Sequence, residues 1–192
     1  MSDLTDVPGQ HDLGPTVKRF DDAVERGFDR VRGHPTLDRI FTSASHLGEF
    51  SLIWHVLNLA LGLRHRRLDR IVVFAALIGM ESLVVNQGIK RLFKRTRPTT
   101  TGESGLEVRQ PLTSSFPSGH ASSATFAASL LTRRASGPLG VLIWLAAGTV
   151  ATSRAYVRIH HASDVVAGLV TGRALYLVVR RTFRRFGADD LL

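Results

Sequence analysis

The sequence contains no cysteine. Disulfide-stabilised scaffolds, thiolate zinc sites, iron–sulfur clusters and cysteine nucleophiles are therefore excluded. Acidic residues are also scarce, because 16 Asp and Glu stand against 25 Lys and Arg in 192 residues, which gives a formal net charge of +9. A chain of this length is expected to form one domain or one compact membrane unit.

Aromatic residues are few as well. They make up 7% of the sequence and do not alternate with basic residues, as they would on a surface that stacks nucleic-acid bases. The arginines instead cluster at the ends of apolar blocks, as at 64–70 and 180–185. This placement is typical of helices in a membrane with anionic lipids. We therefore expect a membrane and no nucleic acid as partner, although the mean hydropathy of +0.06 is low for a membrane protein.

Five apolar blocks predict an all-α integral membrane bundle of about five transmembrane helices. The blocks lie at about 48–63, 71–89, 119–132, 138–153 and 163–179. A spanning helix needs about 20 residues, and only the stretch from Ala135 to Ser153 is uncharged over that length. Taken singly, several blocks are equally compatible with core helices of a soluble bundle.

Two charged residues lie inside apolar blocks, Glu81 in the second and Arg173 in the fifth. Charges inside a membrane usually pair with each other or serve a function. Because the two helices are expected to run antiparallel, an ion pair between Glu81 and Arg173 is one hypothesis. Independent polar contacts are the alternative, and Glu81 could also line a water-filled cavity.

The N-terminal region predicts a different structure. Residues 1–15 are polar and indicate a disordered tail, and 16–33 have an amphipathic helical period with Thr16 as N-cap. A second short helix is expected to start at Pro35. The region 16–45 either packs on the protein core or lies in the membrane interface. Residues 46–186 then form the membrane domain, and 187–192 form a short tail.

The first of three polar motifs is KRLFKRTRP, residues 90–98. Lys90 and Arg97 are seven residues apart, which is about two turns of a helix, so both are predicted to point the same way. Pro98 would end that helix because it has no N–H donor. Two cations at a helix end can hold an anion such as phosphate.

The second motif is SSFPSGHAS, residues 114–122, directly before an apolar block. The N–H groups of Ser118 and Gly119 are predicted to face outward from a helix N-terminus, which is an anion-binding arrangement. His120 lies in the first turn of the same helix. A capped helix start with an incidental histidine is the alternative for this stretch alone.

The third motif is SRAYVRIHHASD, residues 153–164. His160 and Asp164 are four residues apart, so on a helix they share a face, and the carboxylate could fix the histidine tautomer and leave Nε2 free. His161 would face about 100° away and is the weaker candidate. Arg154 adds a further cation. Together the motifs indicate phosphoryl transfer through a covalent intermediate, with no metal or cofactor required.

The pattern K-x(6)-R-P, P-S-G-H and S-R-x(5)-H-x(3)-D resembles the signature of the type 2 phosphatidic acid phosphatase superfamily, which includes vanadium haloperoxidases. The resemblance covers about 90–164 by motif and about 46–180 by helix layout. Many members have six membrane helices, whereas this chain offers the amphipathic segment 16–33 in place of a first span. The signature positions are Lys90, Arg97, Pro98, Pro117, Ser118, Gly119, His120, Ser153, Arg154, His160 and Asp164.

The resemblance implies a mechanism and a substrate class. His160 would attack phosphorus, Asp164 would orient it, and His120 would protonate the leaving oxygen. The phosphoryl oxygens would be held by Lys90, Arg97, Ser118, Gly119 and Arg154. The substrate would be a lipid phosphate such as phosphatidic acid, phosphatidylglycerol phosphate, a prenyl (di)phosphate or a prenyl-linked sugar phosphate.

The expected location is a bacterial plasma membrane, and nothing in the sequence predicts the oligomeric state. A haloperoxidase-like vanadate enzyme and a non-catalytic basic membrane protein are the alternatives. Glu103 and Glu107 lie in the 99–113 loop, which is rich in Thr, Gly and Ser. This loop is predicted to be a mobile lid rather than a metal site.

Overall fold

The structure is a computed structural model, and it describes residues 13–98 and 113–192. These residues form seven α-helices, with no β-strand among them, so the predicted all-α class is confirmed. The helices are α1 (Pro15–Asp29), α2 (Pro35–Leu47), α3 (Leu52–Arg64), α4 (Leu68–Leu83), α5 (Gly119–Leu131), α6 (Gly137–Tyr156) and α7 (Ala162–Arg185).

Each of the five apolar blocks contains one helix, α3 to α7. The second block ends differently from the prediction, because α4 gives way to a π-helical turn at Val84–Gly88 and a 3-10 turn at Ile89–Leu92. At the N-terminus, α1 begins at Pro15 with Gly14 as its N-cap, so the predicted cap at Thr16 is wrong. A proline at the first helical position fits because its missing N–H would have had no partner there.

The two ends of the chain differ from each other. Residues 1–12 of the predicted N-terminal tail lie outside the described residues. The C-terminal segment predicted as a short tail instead packs on the bundle, with a 3-10 turn at Asp189–Leu191 and a buried Leu192. Arg134 Nε donates to the Leu192 carbonyl at 3.1 Å, and Arg133 pairs with Asp189 at 2.7 Å.

Helix α5 forms the centre of the bundle. Every residue from Ala121 to Leu131 is buried, and the helix contacts α3, α4, α6 and α7. Ala and Ser predominate in its sequence GHASSATFAASLL, and such small side chains let neighbouring helices approach closely. The helix that carries His120 is therefore held on all sides.

Helices α5 and α7 approach each other closely, and two glycines on one face of α7 make this possible. A Cβ atom at Gly168 would lie 2.4 Å from the Ser118 carbonyl oxygen, and one at Gly172 would lie 2.2 Å from the Ser122 carbonyl oxygen. Glycines four residues apart allow helix backbones to touch in this way. The contact fixes α5 and α7, which carry His120 and Asp164, relative to each other.

The outer surface of the bundle is apolar. Helix α6 exposes Val141, Leu142 and Leu145, each about 60% accessible, and the other outer helices expose similar side chains. Exposed apolar faces of this extent mark contact with a membrane or a partner. Among the described residues, α6 with 20 residues and α7 with 24 are long and apolar enough to cross a bilayer.

The amphipathic helix α1 packs on the bundle. Its Asp21 is only 6% exposed, and its Glu25 pairs with Arg158 at 2.7 Å in the turn between α6 and α7. Arg32, just after α1, donates to the backbone carbonyls of Tyr156 at 2.8 Å and Ala155 at 3.1 Å. Of the two predicted positions for 16–45, packing on the core is the one observed for α1.

The hypothetical ion pair between Glu81 and Arg173 is not formed. The Glu81 carboxylate accepts a hydrogen bond from the Ser122 hydroxyl, and Arg173 Nη1 donates to Ser129 Oγ at 3.3 Å. Both hydroxyls belong to α5, which packs against α4 on one side and α7 on the other. The two charged side chains therefore reach the central helix instead of each other.

Replacing Gly172 by alanine tests the α5–α7 contact. The added methyl group would meet the backbone of Ser122, which cannot rotate away as a side chain could. We expect the free energy of unfolding in detergent to fall by about 1–3 kcal/mol, the usual range for overpacking, with a loss of activity. Gly148→Ala is the matched control, because a Cβ atom there meets nothing within 4 Å. Equal stability of the two variants would contradict the contact.

Candidate active site

A cavity of about 680 Å³ opens at the end of the bundle where α5 begins and α6 ends. Residues from all three sequence motifs line it, although they are up to 70 positions apart in the chain. Five of the predicted site residues lie on its wall, namely Lys90, Gly119, His120, Arg154 and His160.

His160 lies in the turn between α6 and α7, where its backbone N–H donates to the Arg154 carbonyl at 3.0 Å. Asp164 is the third residue of α7, so the two residues do not share a helix as predicted. They are nevertheless close, with 3.6 Å between His160 Nδ1 and Asp164 Oδ2. This distance is just beyond a hydrogen bond, and contacts of this kind often shorten when a substrate binds.

The tautomer of His160 follows from its other nitrogen. Arg97 Nη1 lies 3.2 Å from His160 Nε2. A guanidinium group has only N–H donors, so Nε2 must offer its lone pair and the ring proton must reside on Nδ1. The proton then faces Asp164, and the nucleophilic lone pair faces the cations. Burial beside Arg97 and Lys90 also lowers the pKa of His160, which keeps the ring uncharged.

The backbone that carries Arg97 is not helical, contrary to the prediction from the sequence. Helical structure ends at Leu92, Phe93 is extended, and no helix is assigned to 93–97. The prediction that Lys90 and Arg97 share a helix face is therefore wrong. Arg97 is held by the Ile159 carbonyl at 2.6 Å and the Thr113 carbonyl at 3.0 Å. Arg97 nevertheless reaches His160, which lies on the same cavity wall as Lys90.

The electrostatics of the cavity favour an anion. Burial, together with the charges of Arg97 and Arg154, lowers the pKa of Lys90 to about 8. Burial also lowers the pKa of Arg97 to about 10. Arg154 is 2% exposed, donates to Ser45 Oγ, and has no hydrogen-bond partner for its Nε among the described residues. Cations that repel each other at close quarters are stabilised by a shared anionic ligand.

Polar groups at the N-terminus of α5 form hydrogen bonds within the protein. The N–H of Ser118 donates to the Asp164 carbonyl at 3.0 Å, so the prediction that it faces outward is wrong. The Ser118 hydroxyl caps the helix by accepting from the Ala121 N–H at 3.4 Å. Gly119 lies on the cavity wall, where a Cβ atom would approach Asn86 Oδ1 to 3.1 Å.

His120 follows in the first turn of α5 and lines the same cavity. Its Nε2 atom is buried and has no hydrogen-bond partner among residues 13–98 and 113–192. A buried imidazole nitrogen in that situation can exchange a proton with a bound group. Glu81 is also on the wall, as the cavity alternative for this residue predicted.

Two residues at the site were not singled out from the sequence. Arg95 Nη1 binds the second carboxylate oxygen of Asp164, and Arg95 Nη2 binds Asp21 Oδ2 at 2.6 Å. The sequence predicts a helix over 90–97, in which the side chains of Arg95 and Arg97 point in different directions. Arg95 was therefore not grouped with Arg97. An extended segment places residues two apart on the same side, and with that period Arg95 would have been grouped with Arg97.

His161 does not share the cavity of His160. It lines a separate groove of about 290 Å³ together with Asp22, Glu25 and Arg158. Its backbone N–H donates to Asp164 Oδ2 at 2.8 Å and so holds the carboxylate near His160. The predicted lid residues Glu103 and Glu107 lie outside the described residues, whereas Thr113 lies on the cavity wall.

Comparison with known proteins agrees with this geometry. The family described as the PAP2 superfamily matches residues 70–188. The chain belongs to the PAP2 superfamily. The predicted family is confirmed, and so is the predicted class of enzyme, a phosphoric ester hydrolase.

Among curated relatives, the decaprenylphosphoryl-5-phosphoribose phosphatase of Mycobacterium tuberculosis is 35% identical over 137 residues, covering 70% of this chain and 74% of the relative. The Mycolicibacterium smegmatis phosphatase of the same name is 36% identical over 141 residues, covering 72% and 74%. Both relatives match most of the bundle.

Two solved structures share the fold. A transmembrane PAP2-type phosphatidylglycerolphosphate phosphatase from Bacillus subtilis superposes with a TM-score of 0.69 at 22% identity, covering 90% of this chain and 88% of the other. LpxE from Aquifex aeolicus superposes with a TM-score of 0.66 at 25% identity, covering 83% and 93%. Both likenesses show the fold, and the exposed apolar faces, with α6 and α7 long enough to span a bilayer, indicate a membrane protein.

The pKa of Lys90 predicts an alkaline limit to activity. Because the charged form attracts the anion, kcat/KM should fall as the pH rises through about 8, since this parameter reports groups of the free enzyme. Lys90→Arg should remove that limb, because arginine stays charged in this range. Lys94→Arg is the control, since Lys94 is exposed. An unchanged limb in the Lys90 variant would contradict the assignment.

The two adjacent histidines give a second test. We expect His160→Ala to abolish phosphate release and His161→Ala to retain substantial activity, because only His160 faces the cavity. Initial rates of both variants, purified and assayed together, measure this difference. The reverse pattern would show that the nucleophile has been assigned to the wrong residue.

Proposed function

We propose that this protein is a membrane phosphatase that hydrolyses the phosphomonoester of a lipid through a phosphohistidine at His160, without a metal ion. The observation that supports this best is a buried His160 whose Nε2 faces Arg97 at 3.2 Å and which shares its cavity wall with Lys90 and Arg154. Cations arranged in this way stabilise a transferring phosphoryl group.

In the first step, the lone pair of His160 Nε2 attacks phosphorus and the bond from phosphorus to the ester oxygen breaks. His120 gives a proton to that oxygen as it leaves. Asp164 stabilises the positive charge that develops on the His160 ring, because its carboxylate faces Nδ1. Lys90, Arg97 and Arg154 hold the phosphoryl oxygens together with the Gly119 N–H.

In the second step, water attacks the phosphorus atom, the nitrogen–phosphorus bond breaks, and His120 accepts the proton of the water. Inorganic phosphate leaves and both histidines return to their starting forms. The negative charge of the bound phosphoryl group also favours the protonated form of His120 in the first step. In this scheme Ser118 contributes mainly as the cap that holds the start of α5.

The cavity is larger than a phosphoryl group needs, and this supports a substrate with a polar headgroup. Beyond the cations it continues between α3 and α4, where it is lined by Ser51, His55, Ala75, Ile78 and Ser82. Hydroxyl and imidazole groups beside apolar ones suit a sugar attached to a chain in the bilayer.

We therefore propose a prenyl-linked sugar phosphate as the preferred substrate and a bacterial plasma membrane as the location. Relatives at 35–36% identity are named for a decaprenylphosphoryl phosphoribose. Phosphatidic acid, phosphatidylglycerol phosphate and prenyl mono- and diphosphates are the competing lipids.

The test is phosphate release by detergent-purified protein in excess EDTA, with each of these lipids in turn. We expect release that survives EDTA, is absent in His160→Ala, and is fastest with the prenyl-linked sugar phosphate. Substituting His46, an exposed histidine of α2, by alanine provides a matched control.

Each departure from this result has a distinct meaning. Loss of release in EDTA would overturn the metal-free route. Full activity in His160→Ala would overturn the nucleophile. A faster rate with phosphatidic acid or phosphatidylglycerol phosphate would overturn the sugar headgroup but leave the phosphatase in place.

A further inference from the structure

The carboxylate of Asp164 is shared between the catalytic histidine and a second network on its far side. Asp164 Oδ2 faces His160 Nδ1, while Oδ1 is bound by Arg95 Nη1. Asp164 is fully buried, and its orientation depends on these partners and on the His161 N–H, which donates to Oδ2 at 2.8 Å. Arg95 is not among the residues that line the cavity, and it binds the carboxylate oxygen that does not face His160.

Arg95 is itself held by helix α1. Its Nη2 donates to Asp21 Oδ2 at 2.6 Å, and its Nη1 donates to Ser163 Oγ at 2.8 Å. The side chains of Arg95 and Asp21 are 10% and 6% exposed. Ion pairs that are this well buried and fully hydrogen-bonded have fixed geometry, unlike exposed pairs.

Asp21 also joins α1 to the start of α7. Its Oδ1 accepts the Ser163 backbone N–H at 2.7 Å, and its Oδ2 accepts the Ser163 hydroxyl at 2.8 Å. The first N–H groups of a helix have no partner within the helix and carry a partial positive charge. The Asp21 carboxylate, from a distant helix, therefore satisfies one of them, at Ser163, directly before Asp164.

We propose that Arg95 and Asp21 are positioning residues for the reaction, which act through Asp164 on His160. The proposal rests on the proposed function, because it assigns these two residues to the same site. Arg95 holds Oδ1 of the carboxylate so that Oδ2 stays directed at the Nδ1–H of the nucleophile, and Asp21 holds Arg95. Helix α1 thus contributes to the geometry of the active site.

Two matched pairs of variants test this proposal. Arg95→Met removes the charge at similar length, and Arg91→Met does the same at an exposed arginine whose side chain donates to Gln87. Asp21→Asn removes the charge of the buried aspartate, and Asp22→Asn does so at its exposed neighbour, which pairs with Lys18. The kinetic substrate is the lipid phosphate that the wild-type protein hydrolyses fastest in the panel above.

We expect Arg95→Met to lower kcat about 10- to 100-fold, by analogy with residues that orient the ligands of a metal ion, and to leave KM nearly unchanged. Asp21→Asn should lower kcat less, and Arg95→Lys should restore part of it. Both controls should match the wild type. Because Asp21 acts through Arg95, the double variant should be no slower than Arg95→Met alone.

Binding of inorganic phosphate distinguishes a positioning role for Arg95 from a role in maintaining the phosphate pocket. Neither residue contacts the phosphoryl group in the proposed site, so phosphate should raise the melting temperature of Arg95→Met as much as that of the wild type. If Arg95→Met loses both this stabilisation by phosphate and its kcat, the proposal is overturned, and Arg95 is needed to keep the pocket folded.

The outcome for His160→Ala, measured in the same series, keeps the two proposals apart. If His160→Ala is inactive while Arg95→Met and Asp21→Asn retain wild-type kcat, only the positioning role is overturned. If His160→Ala retains full activity, the proposed function itself fails. If the double variant loses as much kcat as the two single variants combined, Asp21 does not act through Arg95.

Discussion

The structure depends on a constraint of charge, because Lys90 and Arg154 are buried on the wall of one cavity and Arg97 lies half-buried against His160 on the same wall. Like charges in a poorly solvated site repel each other, and a folded chain tolerates them only when each is held and when an anion can join them. Here Arg97 is held by backbone carbonyls and Arg154 by Ser45. The surrounding bundle acts as the frame that keeps these cations together.

That frame is built on small residues. Gly168 and Gly172 let α7 touch the backbone of α5, and the Ser118 N–H donates to the Asp164 carbonyl across the same contact. His120, the proposed general acid at the start of α5, and Asp164 at the start of α7 are thereby fixed in relation to each other. A membrane supplies little hydrophobic force between helices, so close packing of this kind has to provide the precision.

The sequence was sufficient for the helices and for most of the site, because both follow from local patterns. Apolar blocks located α3 to α7, and the spacing of three motifs identified residues that the structure gathers around one cavity. The sequence was insufficient where the backbone changed from helical to extended. Lys90 and Arg97 were placed on one helix, but the chain is extended beyond Leu92. Asp21 and Arg95 escaped notice because their pairing joins positions 74 residues apart.

Glu81 and Arg173 show the same limit in another form. The sequence indicated correctly that charges inside apolar helices need partners, but it could not show that α5 lies between them. Predictions about pairing require topology, whereas predictions about periodicity do not.

The central claim is that His160 carries the phosphoryl group. The most direct measurement is to mix the protein with a lipid substrate labelled in its phosphate, stop the reaction within milliseconds under alkaline denaturing conditions, where a nitrogen–phosphorus bond survives, and map the label by peptide mass spectrometry. The account predicts a transient phosphoryl group on His160 that decays as inorganic phosphate appears. A label on His120, His161 or any other residue would contradict it.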